Sequence, residues 1–130
     1  MNGDDAPLFL TVEQVLAFHE RQLELFGGAA GVIDPSLLES AVMQPQSTWC
    51  YDPSADLFDL AAAYAFHISK NHAFRVGNKR VALHAALAFL QVNGKTVTAE
   101  QDDMFDAMTR LVTSAIDQRQ FATFLREHRT

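Results

Sequence analysis

His72-Ala73-Phe74-Arg75-Val76-Gly77-Asn78-Lys79-Arg80 joins two strongly apolar segments of the 130-residue chain. Before it, from Asp56 to about Lys70, Leu57, Phe58, Leu60, Ala61, Ala62, Ala63, Tyr64, Ala65, Phe66 and Ile68 are apolar nearly all round a helix. After it, from Lys79 to Val92, Val81, Leu83, Ala85, Ala86, Leu87, Ala88, Phe89 and Leu90 repeat the pattern. A helix apolar on every side must be surrounded by others. The stretch therefore decides the fold class: all-α, with two buried central helices sheathed by amphipathic ones. Gly77-Asn78 opens the second central helix, with Lys79 and Arg80 in its first turn. Free backbone N–H groups and the positive dipole end then point the same way, which makes an anion site. His72 stands a few residues upstream as a candidate base.

Outward from this centre the chain reads as a sheath. Thr11 with Gln14 is a capping box, and Val12, Val15, Leu16, His19, Leu23 and Phe26 form one helical face. Gly27-Gly28 ends that helix. Residues 1–7 read as a flexible tail and 27–33 as a small-residue loop. Asp34-Pro35 starts a second, short helix with Leu37, Leu38, Ala41 and Val42 on its apolar side, expected to stop near Gln44-Pro45. Residues 45–55, bracketed by two prolines, read as a loop or short hairpin. Thr98 with Gln101 reads as a capping box for a fifth helix carrying Met104, Phe105, Met108, Leu111 and Val112 inward. Asp117 caps a last helix with Phe121, Phe124 and Leu125. Thr96-Val97 is too short for a sheet strand. About six helices in one domain, residues 1–130, are expected.

Composition narrows the function. The hydrophobic fraction of 48% and charged fraction of 20% are those of a folded globule. Cys50 is the only cysteine, so neither an internal disulfide nor a thiolate zinc cluster is expected. The opening Met1-Asn2-Gly3-Asp4-Asp5 has no signal-peptide pattern and no run reads as a membrane span, so a cytoplasmic location is expected. The net charge of −6 argues against direct nucleic-acid binding. Its distribution is uneven. Leu60 to Ala99 holds no Asp or Glu but has Lys70, Arg75, Lys79, Arg80 and Lys95, for +5, leaving −11 on the other residues. Burial accounts for the missing acids; it does not account for four cations between Lys70 and Arg80.

No histidine pair has the spacing of a zinc helix, and neither a nucleophile elbow nor a P-loop motif is present. His19, His67 and His84 lie within helical patterns and read as core or surface fillers. Trp49 and Tyr51 stand out in the 45–55 segment, where Trp49 has an equal claim as a cover on the core.

His72-x-Phe74-x-x-Gly77-Asn78-Lys79-Arg80 resembles the core motif of the Fic/Doc superfamily, His-x-Phe-x-Asp/Glu-Gly-Asn-Gly/Lys-Arg. Phe9-Leu10-Thr11 and Leu37-Leu38-Glu39-Ser40-Ala41 are similar to stretches of its Doc (death-on-curing) toxins, so the likeness covers nearly the whole chain. The resemblance implies a compact Fic/Doc-like bundle and a role for each matching residue. His72 would be the general base, and Phe74 a buried anchor. Gly77, Asn78, Lys79 and Arg80, with Arg75 beside them, would bind and neutralise the phosphates of ATP. Trp49 and Tyr51 would belong to a flap over the target. The implied partners are a Phd-like antitoxin, seated in an apolar groove on the early helices, and a protein target, elongation factor Tu.

Two positions depart from the pattern. Fic enzymes that transfer AMP carry a further Arg three residues after the motif Arg. Here that position is Leu83, as in Doc-type proteins, which favours a γ-phosphate kinase over an AMP transferase. The motif Asp/Glu that holds Mg²⁺ is Val76, which cannot ligate a metal, and no other acid lies between Leu60 and Ala99. The resemblance thus implies a kinase scaffold impaired by Val76. Three explanations remain open for Val76: an inactive natural homologue, an inactivating substitution, or a metal held through phosphates and a distant acid. Three functions follow: Doc-like kinase toxin, Fic-type AMP transferase, or non-catalytic antitoxin-binding homologue.

Overall fold

The computed structural model describes residues 6–28, 31, 32 and 34–130. Residues 1–5 of the expected tail, and 29, 30 and 33 of the expected loop, lie outside the described residues. Six helices follow in order: α1 (Val12–Phe26), α2 (Pro35–Tyr51), α3 (Leu57–Asn71), α4 (Asn78–Val92), α5 (Gln101–Val112) and α6 (Gln118–Glu127). The described residues form no sheet strand, only isolated bridges Val32–Phe74 and Val97–Arg129.

Antiparallel α3 and α4 form the centre, and the other helices pack around them. Phe58, Leu60, Ala61, Ala62, Ala63, Tyr64, Ala65 and Ile68 of α3 are buried, as are Val81, Ala82, Leu83, Ala85, Ala86, Phe89 and Leu90 of α4. The alanines let the two axes approach closely. Tyr64 is fully buried, and its Oη accepts the Leu10 N–H at 2.8 Å, which seats the segment before α1 on α3. Burial pushes the Tyr64 phenol up to about 12, with the Leu10 N–H opposing.

Capping sets most helix starts. Thr11–Gln14, Asp56–Asp59 and Asp117–Gln120 are reciprocal capping boxes, and Asp34 accepts from Ser36 and Leu37 ahead of Pro35. Arg126 of α6 reaches Asp56 at 3.0 Å and Asp59 at 3.3 Å, tying α6 to the start of α3.

Two expectations are corrected. The second helix does not stop at Pro45 but continues to Tyr51, so 45–51 is helix rather than loop or hairpin. Proline removes one intrahelical bond, yet Leu38, Ala41, Val42 and Pro45 itself are buried against α3, and that packing carries the helix through. The chain then turns at Asp52, whose carboxylate accepts from Ser54 N–H and Oγ. Nor does Thr98 cap α5. The N-cap is Glu100 without a side-chain bond, and Thr98 instead joins the C-terminus through Thr130 Oγ1 at 2.6 Å.

Candidate functional site

The loop between α3 and α4 begins with an unusual backbone. His72 caps α3 in the left-handed region, φ 50° and ψ 46°. Among the described residues only Ser114 shares positive φ without being glycine. Histidine enters this region more readily than bulkier residues, at a cost of order 1 kcal/mol. The turn leaves His72 exposed while Ala73 and Phe74 are buried directly after it. Phe74, 1% exposed, is a buried ring at the position where the resemblance implied an anchor.

Three sets of bonds hold the loop from outside. Asn78 closes it from α4: Oδ1 accepts Phe74 N–H at 3.1 Å and Nδ2 donates to Phe74 C=O at 2.9 Å. His19 holds it from α1. Its ring is 4% exposed, stacks on Phe74 at 4.0 Å and 15°, and donates from Nε2 to Val76 C=O at 3.1 Å. The segment before α2 and the first turn of α2 hold it from the third side, through the Val32–Phe74 bridge, Asp34 N–H to Ala73 C=O at 3.5 Å and Asn71 Nδ2 to Leu37 C=O at 2.9 Å.

Gly77 stands at φ 81° as the N-cap of α4, with no side-chain cap on the helix. The first intrahelical bond is Val81 N–H to Gly77 C=O at 2.9 Å. The N–H groups of Asn78, Lys79 and Arg80 thus lie ahead of that bond, at the positive end of the dipole. They open onto a cleft of about 600 Å³ lined by His72, Arg75, Val76, Gly77, Asn78, Lys79 and Arg80, with Phe105, Thr109 and Val112 of α5 opposite. No carboxylate is among the lining residues. The cleft is of ligand size and brings together six sequence-predicted residues, His72, Arg75, Gly77, Asn78, Lys79 and Arg80, three of them cations.

The cations are not equivalent. Lys70 donates to Val112 C=O at 2.7 Å and to Ser114 Oγ at 3.2 Å, capping the end of α5 rather than facing the cleft. The Arg80 guanidinium lies 4.2 Å over the Phe26 ring, at the junction between the cleft and an apolar groove of about 310 Å³. That groove runs between α1, α4 and α5, with Leu25, Phe26, Leu83, Leu87, Met104 and Phe105 among its walls. Leu83 therefore faces the groove and not the cleft.

Val76 is 40% exposed, and its Cγ2 is only 2.8 Å from where a Cβ on Gly28 would stand. Hydrocarbon occupies the motif's carboxylate position. Among the described residues no three His, Cys, Asp or Glu groups come together as a metal site. The donor set of this cleft does not fit Mg²⁺, which demands oxygen ligands.

Trp49 and Tyr51 are not brought to the loop. Trp49 meets Phe9 edge-on at 6.1 Å, and Phe9 stacks on Phe89 at 5.8 Å. Phe89 is about 16 Å along α4 from Asn78. Trp49 is thus a core cover at the opposite end, and Tyr51 projects into solvent, 89% exposed. The residues missed by sequence reading are Phe105, Thr109 and Val112, the far wall of the cleft, and His19, read only as a filler.

A model of the Fic/DOC family matches residues 9–90. The chain belongs to the Fic/Doc family. Two relatives place it on the Doc branch. It is 31% identical over 117 residues to "Protein kinase doc" of Escherichia phage P1, covering 90% of this chain and 92% of the relative. It is 44% identical over 78 residues to "Toxin Doc" of Mycolicibacterium smegmatis, covering 59% and 60% respectively. The match to the phage protein covers 90% of this chain, so this Fic/Doc chain is matched well beyond its central loop.

Proposed function

We propose that this protein is the toxin of a type II toxin–antitoxin pair, built as a Doc-like protein kinase scaffold whose transfer is impaired by Val76. The observation that carries the reading is the uncapped N-terminus of α4 opening, beside His72, onto a carboxylate-free cleft with three cations. The names of both relatives, a protein kinase and a toxin, support the same class.

In this mechanism ATP is the phosphate donor and elongation factor Tu the acceptor. The N–H groups of Asn78, Lys79 and Arg80 receive the phosphate chain, and Arg75, Lys79 and Arg80 neutralise charge as it develops. His72 takes the proton of the acceptor hydroxyl. The hydroxyl oxygen then bonds to the γ-phosphorus, the bond to the bridging oxygen breaks, and ADP leaves. Asn78 positions the loop through Phe74. No step is assigned to Mg²⁺, because the residues present do not fit it. The apolar groove between α1, α4 and α5 is proposed as the seat of a Phd-like antitoxin segment.

The test is mass spectrometry of elongation factor Tu after incubation with ATP, Mg²⁺ and either the Val76 chain or Val76→Asp. The 40% exposure of Val76 lets the fold accept the change. Addition of one phosphate by Val76→Asp, at a rate at least about tenfold above the Val76 chain, is expected. Equal transfer by both forms overturns the impairment, and addition of AMP replaces the kinase by an AMP transferase. A second reading, the non-catalytic antitoxin-binding homologue, is favoured by the hydrocarbon side chain that stands at position 76, lining the cleft where the motif has a carboxylate. It predicts antitoxin binding with no transfer by either form.

A further inference from the structure

The far wall of the cleft is thinly tethered. α5 starts at Glu100 with no side-chain cap. The ion pair of Arg110 with Asp106, at 2.9 Å, lies within the helix and is exposed. Among the described residues, hydrogen bonds from 101–116 to another helix meet at one side chain, Lys70.

Lys70 stands in the last turn of α3, two residues before His72. The other carbonyls at the end of α5 are answered locally. Thr113 N–H donates to Thr109 C=O at 2.9 Å, Ala115 N–H to Arg110 C=O at 2.8 Å and Ser114 N–H to Leu111 C=O at 3.2 Å. Val112 C=O instead takes the Lys70 ammonium at 2.7 Å, from 42 residues away. A cation on the last carbonyls of a helix is a charge-assisted cap at the negative end of the dipole. The same ammonium donates to Ser114 Oγ at 3.2 Å. Ser114 and His72, at φ 65° and 50°, are the non-glycine residues with positive φ among those described. Lys70 thus joins one left-handed turn to the edge of the other. Such conformations persist where their surroundings hold them, and they gather at functional sites. Asn71, between Lys70 and His72, is bonded on the opposite flank to Leu37 C=O. The end of α3 is stayed on both sides just ahead of His72.

We propose that Lys70 is a positioning residue for the anion cleft. By tying the end of α3 to the end of α5, it holds the wall of Phe105, Thr109 and Val112 at a fixed distance from His72 and the start of α4. Lys70 is not among the residues that line the cleft, so it acts through the wall. The proposal rests on the cleft being the anion site of the proposed kinase scaffold, and it assigns what sets the width of that site. Phe105 and Val112 keep water away from the cations beside the anion, which strengthens each contact there. Without the tether α5 is held by side-chain packing alone, the wall moves outward and water enters.

Calorimetric titration of the full chain with inorganic tripolyphosphate, at low and at moderate salt, tests it beside urea unfolding of the same proteins. Lys70→Met keeps the apolar stem and removes the ammonium. It is expected to bind about fivefold more weakly at both salt concentrations. Lys70→Arg keeps a charged donor and is expected to recover most of that loss. A role confined to the fold lowers the unfolding midpoint and leaves the affinity alone, so an unchanged affinity in Lys70→Met overturns the tether and leaves the cleft standing. A loss that moderate salt removes also overturns it, since that is the charge of Lys70 acting at a distance. Absence of tripolyphosphate binding by the unsubstituted chain overturns the cleft and the tether together.

Discussion

Asn78 shows how little of a motif residue's role is visible in its identity. Both ends of its amide are bonded to the backbone of Phe74, four residues earlier. Asn78→Ala leaves the Phe74 N–H and C=O without those partners, and is expected to cost about 1–3 kcal/mol in urea unfolding. Asn78→Asp keeps an acceptor for the N–H but sets a negative oxygen against the Phe74 carbonyl and at the floor of the cleft. It is expected to weaken tripolyphosphate binding beyond any loss of stability, read by calorimetry beside the same unfolding curves. If Asn78→Asp binds the anion as the unsubstituted chain does, the α4 start is not the anion site. The motif residues were legible because they are contiguous: His72 to Arg80 names the loop by itself. His19 was not, because its partner Val76 is 57 residues away and a histidine on an amphipathic face looks like any other. Phe105, Thr109 and Val112 were read as fold or passed over, since the cleft they close exists only once α5 packs beside α4.

At the scale of elements, helix starts were readable wherever a side chain caps its own helix, as Thr11, Asp34, Asp56 and Asp117 do. They were misread where tertiary contacts outweighed the local signal. Thr98 matches a capping box in sequence, but its hydroxyl and N–H are taken by Thr130 and His128. Pro45 matches a stop, but the buried face of α2 carries the helix through it. Pro45→Ala restores a donor to the Ala41 carbonyl and loses part of a small buried ring. A gain near 3 kcal/mol against a loss near 2 leaves a net stabilisation of about 1 kcal/mol. An unchanged or lower melting temperature would show that the ring's packing outweighs the missing bond. The central pair carries a pH dependence. His67 on α3 and His84 on α4, which stacks on Phe18 at 4.1 Å, are held below the ordinary 6.5 by burial. The unfolded chain takes up protons near 6.5 that the folded chain resists, so stability falls as pH drops through that value. Thermal melting between pH 7.5 and 5.5 should show the fall, and His67→Gln with His84→Gln should flatten it.

At the scale of the whole molecule, an acidic protein is asked to attract an anion. The formal charge of −6 opposes binding at long range, while Arg75, Lys79, Arg80 and the dipole of α4 favour it at contact. Which wins depends on distance. At ordinary ionic strength charges beyond about 8 Å are largely screened, so the contact cations dominate once the anion is inside the cleft. Among the described residues no acid lines the cleft, and Arg126 holds Asp56 and Asp59 at the start of α3, the opposite end from His72. Packing therefore keeps the two signs apart, and the acid-free window of sequence from Leu60 to Ala99 becomes an acid-free cleft in space. Arg75→Gln and Lys79→Gln are each expected to weaken tripolyphosphate binding by about three- to tenfold at low salt. Salt should narrow the difference, because these two side chains are exposed and their fields are screened, while the backbone N–H groups remain. Calorimetry across a salt series reads both effects. Removal of a distant acid, as in Glu13→Gln on the first turn of α1, should change the affinity at low salt only slightly and at moderate salt not at all. If Glu13→Gln matters as much as Lys79→Gln, the overall field and not the local cleft governs the anion.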